Sequence, residues 1–147
     1  MTIQHATPAP GTIFEGGPLE ITEALLGHYL LAVPTDNRLH LDDEWVRTHT
    51  PFPRRIVPAP LTMALVLNLL IKPGRMDEWA LGLLELLDAK YPAPVHPGAM
   101  LSARCTIASY RAASKARGVI ETLDEGRLAD GTVVYRGRRR ILARGRA

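Results

Sequence analysis

The run Leu61-Thr62-Met63-Ala64-Leu65-Val66-Leu67-Asn68-Leu69-Leu70-Ile71 is apolar everywhere except at Thr62 and Asn68. It predicts a helix from Leu61 to about Lys72 that is hydrophobic on nearly all sides, and such a helix is buried on all sides. It is too short to span a membrane. Lys72-Pro73-Gly74 is the expected stop. Two polar stretches lead into it. Thr35-Asp36-Asn37-Arg38-Leu39-His40 is a loop holding Asn and His, and Arg54-Arg55-Ile56-Val57-Pro58-Ala59-Pro60 is a strand-like step ending in a Pro-Ala-Pro turn. The loop and the helix start are expected to form the working site.

Upstream, Met1 to Pro10 reads as a flexible N-terminal arm, and residues 11–147 as a single domain. Gly11 to Phe14 reads as a short strand, broken by Glu15-Gly16-Gly17-Pro18. Thr22 is placed to cap a helix through Leu31, and Pro34 stops it. Asp42, Asp43 and Glu44 open a short helix that carries Trp45 and Val46 and ends at Pro51 and Pro53.

Downstream, the leucines from Leu81 to Leu87 fit helix or strand, with propensity favouring helix. Tyr91-Pro92 and Pro94 close that segment. Met100 to Tyr110, Gly118 to Leu123 and Thr132 to Leu142 read as strands, the last two separated by Asp130-Gly131, a tight-turn signal. Lys115, Arg117, Glu121, Arg127, Arg138 and Arg140 punctuate them as one solvated sheet face would. The result is an α+β domain in which a curled antiparallel sheet wraps a long central apolar helix. Such a sheet leaves a long edge strand, and pairing two copies edge to edge would cover it, so a symmetric dimer is expected.

The 147 residues allow one domain with a real core. Hydrophobic residues at 46% and charged residues at 22% exclude a disordered chain. Lys plus Arg is 18 against 15 for Asp plus Glu, a net charge of +3. The basic residues gather from Arg136 to Arg146. That cluster attracts an anion, and a phosphate-bearing small molecule or a solvated edge-strand face both fit. Without interleaved aromatics or a binding motif, nucleic acid is not expected. The lone Cys105 excludes an internal disulfide and reads as a small buried hydrophobe. No spacing of His, Cys or acids suggests a metal, and no Gly-rich phosphate loop or nucleophile elbow is present, so no cofactor is expected. No signal peptide is visible at the N-terminus, and a cytoplasmic protein is expected.

Taken together, Phe14-Glu15-Gly16-Gly17, Asp36-Asn37-Arg38-Leu39-His40-Leu41-Asp42, Arg55-Ile56-Val57, Tyr91, His96-Pro97-Gly98-Ala99-Met100-Leu101 and Ser114-Lys115-Ala116-Arg117-Gly118-Val119 resemble the MaoC-like dehydratase family. The resemblance implies the hot-dog fold. It also implies an (R)-specific enoyl-CoA hydratase or 3-hydroxyacyl thioester dehydratase, acting on a CoA or acyl-carrier-protein thioester. The family motif is Asp-x-Asn-Pro-Leu-His, whose Asp and His hold the reacting water. A later turn, Ile-Val-His-Gly-Met, opens the central helix and lends an amide to the thioester carbonyl.

Carried onto this chain, the resemblance puts His40 at the family histidine and Asn37 at the asparagine. Thr35 stands where the family has aspartate, with Asp36 one residue late, and Arg38 replaces the proline. Pro58-Ala59-Pro60 replaces His-Gly-Met, leaving Ala59 and Leu61 at the helix start as the oxyanion and substrate-binding positions. A hydroxyl is no general base near neutral pH, whereas imidazole titrates there. Three readings follow. The chain is a hydratase or dehydratase with His40 as base. Alternatively, it is a degenerate subunit that binds acyl-CoA or pairs with an active one as a heterodimer. The third reading is a thioesterase, disfavoured because no carboxylate lies between Pro58 and Asn68.

Overall fold

A computed structural model describes residues 7–146. Strand β1 (Ile13–Glu20) is followed by α1 (Glu23–Ala32), a 3-10 turn (Arg38–His40) and α2 (Asp43–His49). Then come α3 (Ala59–Leu69), α4 (Ile71–Gly74), α5 (Met76–Trp79) and β2 (Ala80–Lys90). Strands β3 (Met100–Ala112), β4 (Arg117–Leu128) and β5 (Val133–Arg144) complete the chain. All pairings are antiparallel, in the order β1-β3-β4-β5-β2. The sheet curls around α3, which packs on β1, β3, β4 and β5. Among the described residues, no helix is long and apolar enough to cross a membrane.

Burial alternates along the strands as a one-sided sheet requires. Leu101, Ala103, Cys105 and Ile107 of β3 face α3, as do Ile120, Thr122 and Asp124 of β4. Tyr135, Arg139, Ile141 and Ala143 of β5 do the same. Two glycines let the helix sit close. A Cβ at Gly126 would lie 2.5 Å from Val66 Cγ2, and one at Gly16 would lie 1.9 Å from the Leu69 carbonyl oxygen. Glu15-Gly16-Gly17-Pro18 therefore does not end the first strand. It lies inside β1, where the register shifts between Gly16 and Leu19.

The central helix begins at Ala59, two positions before Leu61, because proline is comfortable in a first turn. Lys72-Pro73-Gly74 does not stop it. The chain tightens at Leu70, whose amide donates to Leu67 O, and continues as α4; the reversal comes at Arg75, with φ 41°. Nor is the helix buried on every side. Leu61, Thr62, Val66 and Leu70 are buried, but Asn68 and Ile71 are exposed. Asn68 Nδ2 donates to Ala64 O at 2.8 Å on the open side. One sheet covers one side of a helix, and the other side needs a further partner.

The leucine segment is strand β2, paired with β5 at the sheet edge. Leu81, Leu83, Leu84 and Leu86 are all exposed there, Leu83 by 55%. Arg55-Ile56-Val57, strand-like in sequence, takes no regular structure and joins no sheet. Thr7 is buried, and its hydroxyl donates to Arg144 O at 2.8 Å. Residues 1–6 of the expected arm lie outside the described residues.

Among the described residues, the core holds one ion pair. Arg139 donates through Nε and an η nitrogen to both oxygens of Asp124, at 2.7 and 2.8 Å. Thr122 Oγ1 donates to the same carboxylate at 2.9 Å. Burial, with Asp124 alongside, pushes the neighbouring Cys105 thiol up to about 12. Burial also pushes the Tyr135 phenol up to about 12, against an ordinary 10.0. Both acids stay protonated in the fold, while the unfolded chain ionises first as pH rises. Stability is therefore expected to be full below pH 9, the ordinary thiol value, and to fall progressively toward pH 12. Denaturant midpoints across that range check this, and Cys105→Ala should flatten part of the slope.

Candidate active site

The loop before α3 is built from local caps. Thr22 Oγ1 accepts from Leu25 N at 3.0 Å, and Asp42 Oδ1 accepts from Trp45 N at 2.9 Å. Asn37 Oδ1 accepts from Leu39 N at 3.0 Å and so starts the 3-10 turn that carries His40. Helix α3 differs. Pro58 occupies its cap position and no side chain caps it. Its positive end and free first-turn amides are left for something else.

What faces that end is a cavity of about 590 Å³. His40, Ile56, Val57, Ala59, Pro60, Thr62, Tyr91 and Val134 are among its lining residues. Segment 55–57 is held across it from both sides. Ile56 N donates to Leu39 O at 3.1 Å, and Val57 N donates to Val95 O at 2.7 Å. Arg55 anchors the segment to both preceding helices, donating to Asp43 at 3.0 Å and Glu23 at 2.6 Å. The Arg55 backbone amide, followed by its guanidinium, holds the Asp43 carboxyl below its usual range.

His40 Nδ1 lies 2.8 Å from the Ile56 carbonyl oxygen. A carbonyl only accepts, so Nδ1 carries the proton and donates. In the neutral ring, Nε2 is then the free lone pair, which is the form a general base needs. His96 makes the same kind of bond, Nδ1 donating to Arg55 O at 2.8 Å. The two histidines thus grip consecutive carbonyls of one segment.

Of the expected site residues, His40 and Ala59 line the cavity, while Thr35, Asp36, Asn37 and Leu61 do not.

 Thr35 Oγ1 accepts from Asn37 N at 3.1 Å and so shapes the loop. Asp36 is exposed. Leu61 is 5% exposed, with its side chain in the core. Asn37 acts through the turn it caps. Asn37→Asp keeps an acceptor there, while Asn37→Ala is expected to cost about 1 kcal/mol of stability and to loosen His40, checked by denaturant unfolding of both variants.

The sequence assigns no role to His96, and places Tyr91 only at a segment end and within the resemblance. Tyr91 lines the cavity, and its ring meets Tyr135 at 5.6 Å between centroids. Burial raises its phenol, which keeps it a proton donor at neutral pH. The Tyr91-Pro92 pair reads first as a segment end, and this hides the side chain's direction. Among the described residues, no group of three or more His, Cys, Asp and Glu side chains could hold a metal ion.

The Arg-rich strand β5 is not a free cationic surface along its middle. Arg136 meets Glu125 at 3.0 Å, Arg138 meets Asp88 and Glu121, and Arg140 meets Glu85 at 2.6 Å. Arg139 points inward to Asp124. The expected anion-attracting run is neutralised by carboxylates of β2 and β4.

No family model and no curated protein matches the sequence. Solved structures do match. A MaoC-like dehydratase from Rhodospirillum rubrum superposes with a TM-score of 0.80 at 21% identity, over 95% of each chain. The (R)-hydratase from A. caviae involved in PHA biosynthesis gives 0.77 at 18% identity, over 92% of this chain and 96% of that one. A Mycobacterium tuberculosis protein described as having a double hotdog fold gives 0.84 at 15% identity, over 94% of this chain and 43% of that one. The chain therefore carries the hot-dog fold, in the form shared with solved MaoC-like dehydratases and (R)-hydratases.

Proposed function

We propose that the chain is a hydratase or dehydratase acting on an enoyl or 3-hydroxyacyl thioester. The observation that carries this is the pairing, in one apolar cavity, of His40 with the uncapped start of α3. A thioester carbonyl placed at the Ala59 amide would gain a donor as negative charge develops on its oxygen. Pro60 has no amide to add. His40 Nε2 takes a proton from water as the water oxygen bonds to the β carbon. The imidazolium then returns that proton to the α carbon, so one water is added and the base is restored. Tyr91 is a further proton donor at the same cavity. No carboxylate lines the cavity, which speaks against a thioesterase.

The working unit in this reading is a homodimer in the cytoplasm. Edge strand β2 exposes Leu81, Leu83, Leu84 and Leu86, and α3 has an open side beside it. Exposed leucines on a long edge are an association surface. Leu83→Glu is expected to turn the dimer into a monomer, seen as halved mass by analytical ultracentrifugation. Unchanged mass would count against pairing through β2.

A second reading is favoured by Thr35 and by Asp36, neither of which lines the cavity. The chain would then be a subunit that binds the acyl thioester without turning it over. Hydration of crotonyl-CoA by the purified protein, followed as loss of the conjugated thioester absorbance, separates the two. Turnover supports the enzyme. Saturable binding without turnover overturns it in favour of the second reading.

A further inference from the structure

Among the described residues, the buried polar or charged ones are Thr7, Thr62, Thr122, Asp124 and Arg139. All but one are satisfied inside the fold. Thr7 donates to Arg144 O, Thr122 donates to Asp124, and Arg139 pairs with Asp124. Thr62 is the exception. It is 2% exposed, and among the described residues its hydroxyl has no hydrogen-bond partner. A helical threonine commonly returns its hydroxyl to a carbonyl three or four residues back. Here the carbonyl four residues back, Pro58 O, accepts from the Thr62 amide at 3.1 Å, and the hydroxyl does not join it. Burying a hydroxyl without a partner is costly. In a core whose other polar groups are paired, such a hydroxyl marks a place for a ligand.

Its position says which part of a ligand. Thr62 lines the cavity together with His40, Ala59 and Pro60. It stands three residues after Ala59 in α3, so the two share one helix face, about 5–6 Å apart at Cβ. Helical side chains lean toward the N-terminus, which brings the hydroxyl over the open first turn. That turn is short of donors, because Pro60 has no amide. The β-branched side chain has few rotamers, so the donor is held in place before a ligand arrives.

We infer that Thr62 Oγ1 is a second donor, beside the Ala59 amide, to the carbonyl oxygen of an acyl ligand in the cavity. The inference rests on the thioester reading above and adds to it a side chain that touches the substrate. As water bonds to the β carbon, the electron pair of the double bond moves toward the carbonyl oxygen. The Thr62 hydroxyl donates to that oxygen and keeps its own proton; the proton for the α carbon comes from the His40 imidazolium. A hydrogen bond to an oxygen that carries charge is stronger than one to a neutral carbonyl. The hydroxyl therefore acts more on the transition state than on the bound substrate, and its loss should fall on kcat. The positive end of α3 favours the same charge.

The test uses Thr62→Val, which puts a methyl group in place of the hydroxyl, and Thr62→Ser, which keeps the donor. The first readout is the difference infrared spectrum of butyryl-CoA labelled at its carbonyl carbon, a saturated thioester that cannot be hydrated. The bound carbonyl band should lie at lower frequency in the wild type and Thr62→Ser than in Thr62→Val. In turnover, Thr62→Val should lower kcat for crotonyl-CoA by about 10²-fold, the usual cost of one such donor, with KM nearly unchanged and Thr62→Ser restoring most of the rate. The free Thr62→Val protein should unfold at the wild-type denaturant concentration or above it, because no internal hydrogen bond is lost. A carbonyl band that does not move in Thr62→Val overturns the inference, even if the rate falls, since the hydroxyl would then serve the water. A lower unfolding midpoint for the free variant also overturns it, by showing that the hydroxyl is bonded within the fold. A protein that shows the band shift but hydrates nothing keeps the Thr62 contact and loses the hydratase reading. One that hydrates crotonyl-CoA equally well as Thr62→Val does the reverse, and one that binds no butyryl-CoA loses the contact outright.

Discussion

His40→Ala is expected to lower hydration of crotonyl-CoA by on the order of 10²–10⁴-fold, the usual contribution of a positioned acid–base group. The upper part of that range applies here, because no other lining residue of the cavity is a base at neutral pH. The effect should fall on kcat more than on KM, since the imidazole works on the reacting water and not on the thioester's remote parts. The fold should survive. The substitution removes one partly buried hydrogen bond to Ile56 O, worth about 1 kcal/mol net. Steady-state kinetics with a parallel thermal melt separate the two effects. A variant that keeps a tenth or more of the wild-type rate would remove His40 from the mechanism.

The second large effect concerns stability. Asp124→Asn should destabilise the protein by about 3–5 kcal/mol, because it leaves a buried guanidinium with no opposing charge. The Asp124 side chain is 0% exposed and that of Arg139 is 5%. Arginine cannot shed its proton to relieve the loss. Arg139→Met should cost less, because the Asp124 carboxyl left behind can take up a proton. Its deficit should therefore shrink as pH falls. The double variant Asp124→Leu/Arg139→Met should regain much of the loss, as apolar replacements of buried pairs do. Denaturant unfolding at fixed protomer concentration measures all three. A cost below about 1 kcal/mol for Asp124→Asn would show that water reaches the pair.

The sequence revealed different parts of this structure for different reasons. Helix α3 was legible because its apolar run has few interruptions. The outer sheet face was legible too, since Glu121, Arg127, Arg138 and Arg140 share one side of the alternation. The helix's far boundary was not. Pro73 sits in the first turn of α4, after the tightened turn at Leu70, where its missing amide costs nothing. The leucines of β2 favour helix by propensity, and only pairing with β5 makes them strand. In Arg138-Arg139-Arg140 the middle residue turns inward to Asp124. A register decides that, and no property of arginine does.

His40 and Ala59 both line the cavity, and each drew notice in the sequence through a motif with a chemical reason. Thr35, Asp36 and Asn37 do not line the cavity, because spacing along a loop does not say where side chains point. The clamp on segment 55–57 involves Leu39, His40, Val95 and His96. It joins positions too far apart in sequence for any local pattern to reveal.

The most direct measurement is nitrogen-15 NMR of the His40 imidazole in the free protein and with a non-hydrating acyl-CoA bound. The account predicts a neutral ring with its proton on Nδ1, an unprotonated Nε2, and a change at Nε2 when the thioester enters the cavity. A proton on Nε2 in the neutral ring, or an imidazole indifferent to the thioester, would contradict it.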